Sequence, residues 1–364
     1  MPKWENNVRR VIPYTPGEQP KIRDLIKLNT NENPYPPSER VLEALRNLEA
    51  ETLRRYPDPA SALLTEAVAK HCGVSPDRVF VGVGSDDVLA MSFLTFFASG
   101  RPILFPDITY SFYDVWAQLF RIPYETQPLD ENFRIVNRDY YRENGGIIFP
   151  NPNAPTGVLK GLDEVHRILE HNRDVAVIVD EAYIDFSGTE EELKSGCNVP
   201  ASSALNLIDE FDNLLVVQTS SKSMSLAGMR IGWAVGSSRM IRYLNDVKYS
   251  FNSYTMSQAA IAAGCAAFSD MDYYRTCTAQ IIATRERVKS ELSELGFRFP
   301  DSGANFLFVT HPEYKAADLF RQLRQEKILV RYFDKPRIDN YLRITIGTDA
   351  QMNALIAFLK KTIC

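Results

Sequence analysis

Short apolar runs alternating with longer amphipathic stretches dominate the chain. Apolar runs at 79–81, 103–105, 146–149, 175–179, 214–218 and 232–235 have the length of strands. Between them, apolar residues recur at helical spacing over 86–97, 110–119, 163–171 and 239–249. Strands without a polar alternate face are buried on both sides, so the pattern predicts an α/β fold with a mostly parallel sheet covered by helices. Upstream, Ser38 is placed to cap a helix reaching about residue 50, with apolar positions 41, 42, 45 and 48. A second helix is predicted over 60–72, ending at Gly73. Prolines at 13, 16, 20, 34, 36 and 37 block regular helix, so residues 1–37 read as an extended arm.

From residue 257 a long helical segment leads the chain away from this domain, and after Gly296 the pattern changes. Two helical stretches, 257–267 and 273–295, lead to Gly296. A strand over 305–309, a helix over 316–326, strands near 328–332 and 341–346, and a closing helix from 350 then describe a smaller α+β unit. The chain therefore divides into an arm, 1–37, joining the small domain; a large domain, 38–258; and the small domain, 259–364.

Composition narrows the possibilities. A formal charge of −5 over 364 residues leaves no basic footprint for nucleic acid. Five cysteines, at 72, 197, 265, 277 and 364, are odd in number and contain no CxxC pair. They read as free thiols in a reducing compartment, not as a disulfide framework or a metal site. Residues 1–20 are polar and proline-rich, without the apolar core of a secretory signal. No apolar run approaches the length of a membrane span, so the expected location is the cytoplasm, with no membrane partner.

The chemistry concentrates around Lys222, in the stretch Thr219-Ser220-Ser221-Lys222, with Gly228 and Arg230 following. A lysine that forms a Schiff base must lie beside a carbonyl cofactor, screened from water. Hydroxyl donors and a fixed cation nearby suit an anionic group on that cofactor. Asp180 ends the apolar run 175–179, at the strand end where α/β sheets place their ligands. An Asp for a pyridinium nitrogen and a Lys for an aldehyde carbon are what pyridoxal phosphate requires. A lone lysine among serines is ordinarily a solvated loop residue, but Asp180, Tyr183, Lys222 and Arg230 occur together and in order. Gly82-Val83-Gly84-Ser85-Asp86 follows a strand and opens a helix, presenting backbone N–H groups to an anion. Ser85 and Asp86 are assigned there by their backbone, since the side chains of Asp86 and Asp87 would repel phosphate.

With Leu28-Asn29-Thr30-Asn31-Glu32-Asn33-Pro34, Arg55-Tyr56-Pro57-Asp58, Asn151-Pro152-Asn153-Ala154-Pro155-Thr156-Gly157, Asp180-Glu181-Ala182-Tyr183 and Tyr341-Leu342-Arg343 added, the chain resembles the fold-type I pyridoxal-phosphate aminotransferases, and within them the histidinol-phosphate aminotransferases. The resemblance implies a seven-stranded-type sheet in the large domain. It implies Tyr110 stacked on the cofactor ring, Asp180 at the ring nitrogen, and Lys222 as covalent anchor and proton shuttle. Asn153 and Tyr183 become the contacts to the phenolic oxygen, although Ala154 stands where the family more often has asparagine. Thr219, Ser221 and Arg230 would grip the phosphate. Tyr56 would reach the neighbouring subunit's phosphate, making a homodimer with shared sites. Arg343 would bind a substrate carboxylate, Arg331 a substrate phosphate, and Asn33 or Tyr35 would lie near the substrate. The implied reaction exchanges an amino group between histidinol phosphate and 2-oxoglutarate. Aromatic amino acid transamination and a threonine-phosphate decarboxylase-like lyase activity are the alternatives.

Overall fold

The computed structural model describes residues 3–363. Its strands are β1 (Ile26–Lys27), β2 (Val79–Gly82), β3 (Ile103–Pro106), β4 (Tyr124–Gln127), β5 (Ile147–Pro150), β6 (Val177–Asp180), β7 (Leu214–Thr219), β8 (Gly232–Val235), β9 (Phe306–Val309), β10 (Ile328–Leu329), β11 (Arg331–Tyr332) and β12 (Leu342–Thr345). Seven of them form one sheet in the order β2-β8-β7-β6-β5-β3-β4. Only β8 runs against the rest of that sheet.

Alternate residues of each central strand enter opposite cores. On β6, Val177 and Val179 face one cluster and Ile178 the other; on β7, Leu214 and Val216 oppose Leu215 and Val217. Each such side chain, fully buried, contributes about 1.5–3 kcal/mol. Burial on both faces explains why these strands read as continuous apolar runs. By contrast, β4 was absent from the sequence reading. It is an edge strand whose Glu125 and Thr126 are exposed, so it carries no apolar signal.

The small unit has a three-stranded antiparallel sheet, β11-β12-β9, packed on its own apolar cluster. The arm joins it through β1, which pairs in parallel with β10, and through Leu28, buried in that cluster. Helix Gln258–Phe268 packs instead on helices Glu39–Arg46 and Ala62–Cys72, with Ala260, Ile261, Ala263 and Ala267 in the large core. A Cβ at Gly264 would meet Leu64 Cδ1 at 2.6 Å, so glycine permits this close approach. The expected boundary at 258/259 therefore falls at the first residue of a helix that packs with the large unit. The change-over lies within the long helix Met271–Glu294, whose Tyr274 enters the large core and whose Ile281, Val288 and Leu292 enter the small one. Two expected helices also shift: the first ends at Arg46, and that expected over 110–119 begins at Tyr113. Among the described residues no helix is long and apolar enough to cross a membrane.

Candidate active site

Strands β5, β6 and β7 end side by side at Pro150, Asp180 and Thr219, and a cavity of about 520 Å³ opens over these ends. The arm and the small sheet close its other sides: Tyr14, Thr30, Arg331 and Arg343 share its wall with Asp180 and Lys222.

Asp180 sits at the floor. Its Oδ2 accepts from the Tyr113 hydroxyl at 2.9 Å and its Oδ1 from the Ala182 N–H at 3.2 Å. Burial pushes its pKa up to about 6, against the lowering effect of those two donors. A protonated ring nitrogen placed beside it would restore the carboxylate. Glu181, next in sequence, accepts instead from Ser203 Oγ, the Ala204 N–H and Gln218 Nε2. It supports the far side of the strand end.

Lys222 lies in the turn after β7. Its Nζ donates to the Thr30 carbonyl at 3.2 Å and stands 5.6 Å from the centre of the Tyr183 ring. Thr219 Oγ1 is 2.9 Å from Ser221 Oγ and 3.0 Å from the Ile231 carbonyl, which fixes the start of that turn.

Helix Ser85–Phe96 opens at the same edge. Gly84 has φ 83°, and a Cβ there would lie 2.5 Å from Arg230 Nη2. Glycine is thus required for the guanidinium to cross the helix start. Asp87 turns back to accept from the Val83 N–H at 2.9 Å. The Asp86 side chain, expected to take no part, does the opposite. It accepts from Tyr110 Oη at 2.7 Å and pairs with Arg230 Nη2 at 3.1 Å. Its charge is therefore offset where an anion would sit. Ser85, Asp86, Tyr110, Thr219, Ser221 and Arg230 all line the cavity, bringing a helix start, hydroxyls and a guanidinium to one edge of it.

At the other end, Arg331 and Arg343 are cross-strand partners. Neither guanidinium has a carboxylate within 4.0 Å among the described residues. Arg343 Nη2 donates to the Asn29 carbonyl at 2.9 Å, and its Nε is buried without a partner. Both guanidiniums lie over Phe333, at 5.5 and 5.7 Å. Burial lowers the pKa of Arg343.

The class I and II aminotransferase family model matches residues 23–359. The chain belongs to that family. It is 49% identical to the histidinol-phosphate aminotransferase of Lactococcus lactis subsp. cremoris (strain SK11), over 98% of this chain and 97% of that one. It is 52% identical to histidinol-phosphate aminotransferase 1 of Bordetella parapertussis, over 98% of each. A solved histidinol-phosphate aminotransferase from Clostridium acetobutylicum has the same fold, with TM-score 0.83 at 22% identity over 93% of this chain and 99% of that one.

In this aminotransferase the structure departs from the sequence reading at Asn153, Asn33 and Tyr35. Asn153 does not face the cofactor cavity. Its Nδ2 donates to the Ile108 carbonyl and to Thr156 Oγ1, both at 3.0 Å, and it borders a separate crevice. Ala154 and Pro155 line the cleft in its place. Asn33 is committed to the backbone: its Nδ2 donates to the Ser223 carbonyl and its Oδ1 accepts from the Tyr35 N–H. Tyr35 packs on the small-domain core, outside the cleft. Tyr56 is 79% exposed and stacks on Tyr254 at 4.6 Å, away from the cavity of its own chain.

Three residues at the cleft or buried behind its wall escaped the sequence reading. Tyr14, from the arm, stacks on Phe112 at 4.2 Å. Asn31 contacts Tyr183. Tyr113 holds Asp180. Tyr113 follows Tyr110 by three residues, across the turn that leads into the helix, which was the available hint; the other two are brought in by the arm's path.

Proposed function

We propose that the chain transfers the amino group of L-histidinol phosphate to 2-oxoglutarate, with pyridoxal 5'-phosphate as its cofactor. The observation that carries this reading is the Arg331–Arg343 pair, two guanidiniums with no carboxylate partner among the described residues, facing a cleft that also holds Lys222 and Asp180. A doubly charged phosphate suits such a pair, and near-50% identity to full-length relatives of that name supports it.

The cofactor, when bound, acts as an electron sink and carries the amino group from donor to acceptor. The protein's part is positional and acid–base. Asp180 keeps the ring nitrogen protonated, and Tyr110 offers its ring face. Arg230, Thr219, Ser221 and the N–H groups of Ser85 and Asp86 hold the phosphate. Lys222 would be the residue that holds the cofactor's aldehyde carbon, and its free amine would serve as the base and acid that moves a proton. Arg343 takes the carboxylate of glutamate, and Arg331 adds the second charge that the substrate phosphate needs. In this reading the protein works in the cytoplasm as a homodimer, Tyr56 completing the partner's phosphate site.

The test is a half-reaction. L-Histidinol phosphate, added to the purified holoprotein without keto acid, should convert the cofactor's absorbance to that of its amino form. 2-Oxoglutarate should reverse the change. A spectrum moved by phenylalanine or tyrosine but not by histidinol phosphate would replace the reading with aromatic transamination. Carbon dioxide release from a phosphorylated amino acid would replace it with a lyase.

A further inference from the structure

The Tyr183 hydroxyl is held by an asparagine whose orientation is fixed from behind. Asn31 Nδ2 donates to Tyr183 Oη at 3.0 Å. The Asn31 backbone N–H donates to Thr345 Oγ1 at 3.0 Å, which leaves the Thr345 proton for Asn31 Oδ1, also at 3.0 Å. Asn305 Nδ2 in turn donates to the Asn31 carbonyl at 3.0 Å. All three of these residues are buried, and Asn31 adopts φ 57°, a left-handed conformation that asparagine tolerates. The amide therefore has one satisfied orientation, with Oδ1 toward Thr345 and Nδ2 toward Tyr183.

A tyrosine hydroxyl has a single proton. With an acceptor lone pair occupied by Asn31, that proton is free to point elsewhere, and among the described residues none accepts it. Tyr183 lines the cleft beside Lys222. Its role is sharpened by what surrounds it. Ala154 brings no donor to the cleft, and the Asn153 amide is committed to Ile108 and Thr156.

We propose that Asn31 is a positioning residue that commits the Tyr183 proton to the cleft, for donation to the phenolic oxygen of the bound cofactor, with Thr345 setting the amide that does so. The inference rests on the reading above, in which the cofactor binds between Lys222 and Asp180. Its consequence is electrostatic. A donor on the phenolic oxygen stabilises the oxygen's negative charge and so weakens proton binding at the adjacent nitrogen joined to Lys222. Asn31 tunes that nitrogen without touching it. Because Asn31 lies on the arm, Thr345 on the small sheet and Tyr183 on the large domain, the tuning requires all three to be docked.

The experiment is an absorbance titration of the bound cofactor against pH in the holoprotein. It compares wild type with Asn31→Asp and Thr345→Val, each alone and combined with Tyr183→Phe. Asn31→Asp puts a carboxylate oxygen where Nδ2 stood and draws the Tyr183 proton out of the cleft. The midpoint should rise by about one pH unit, the scale of one hydrogen bond to a charged group. Thr345→Val adds no charge and frees the amide to turn, so it should move the midpoint the same way by less. In the Tyr183→Phe background the Thr345→Val shift should vanish, and Asn31→Asp should retain only the effect of its charge. Unmoved midpoints in both single variants, or a Thr345→Val shift that persists undiminished without the tyrosine hydroxyl, would overturn the role of Asn31. If Tyr183→Phe itself leaves the midpoint unmoved, the underlying assignment of Tyr183 fails, and the proposal with it.

Discussion

Arg331 and Arg343 stand directly opposite each other across the β11–β12 pair, with no carboxylate to separate their charges. Like charges so placed weaken a strand pair. The arrangement makes sense only if an anion from outside completes it.

Replacing Arg331 by methionine should therefore act in opposite directions on stability and binding. KM for histidinol phosphate should rise about 10- to 100-fold, the range of one charge-assisted hydrogen bond. The ligand-free protein should lose no stability and gain up to about 1 kcal/mol. Steady-state kinetics and a thermal melt check the two halves. An unchanged KM would remove the phosphate from this arginine.

Asp180 makes a prediction about pH. Its folded pKa is raised from 3.8 to about 6 by burial, so between those values the folded cofactor-free protein holds a proton that the unfolded chain has released. The stability that Asp180 contributes is then fully present below pH 3.8 and is lost as pH rises to about 6, by about 3 kcal/mol. Asp180→Asn should flatten that part of the slope in denaturant titrations of the cofactor-free protein. Pyridoxal phosphate should do the same by pairing its ring nitrogen with the carboxylate. Identical slopes for variant and wild type would show that Asp180 meets water more freely than its surroundings indicate.

Borohydride reduction of the holoprotein, followed by peptide mapping, should place the pyridoxyl label on Lys222. Lys160 and Lys248 are buried competitors, but Lys160 Nζ bonds to the Ile135 carbonyl and Glu164 beside the other crevice, and Lys248 Nζ donates to the Pro59 carbonyl. Lys222→Ala should abolish the label and lower the rate of amino transfer by at least about 10²–10⁴, the usual contribution of a positioned acid–base group. A label on Lys160 would move the anchor.

Six of the seven strands of the large sheet were legible because they are short apolar runs buried on both faces, set between amphipathic helical stretches; the exposed edge strand β4 was not. The site residues at strand ends followed from that. Asp180, Lys222 and Arg230 lie in the cleft because β6, β7 and the turn before β8 end there. What failed was local orientation within an irregular loop. In Asn151–Gly157 the choice between Asn153 and Ala154 depends on which way one residue turns, and no periodicity records that. Asn33 and Tyr35 failed for a related reason: the arm's register is set by β1 pairing with β10 about 300 residues away, a non-local contact. The same path brings Tyr14 and Asn31 inward.

Tyr56 offers the sharpest test of assembly. In the Arg-Tyr-Pro-Asp segment Tyr56 is 79% exposed, stacks on Tyr254 and does not line the cleft of its own chain. Leu53, Leu63, Phe251 and Tyr254 are exposed as well. If Tyr56 serves the partner's phosphate, then Tyr56→Ala and Lys222→Ala proteins should each be impaired when pure. Mixed, unfolded and refolded together at equal amounts, half of their dimers would pair one of each. Every such dimer holds one site with Lys222 from one chain and Tyr56 from the other. Activity should then return to about a quarter of wild type, since one site in two is intact in half of the dimers. Activity that stays at the level of the separate variants would leave Tyr56 serving its own chain or none.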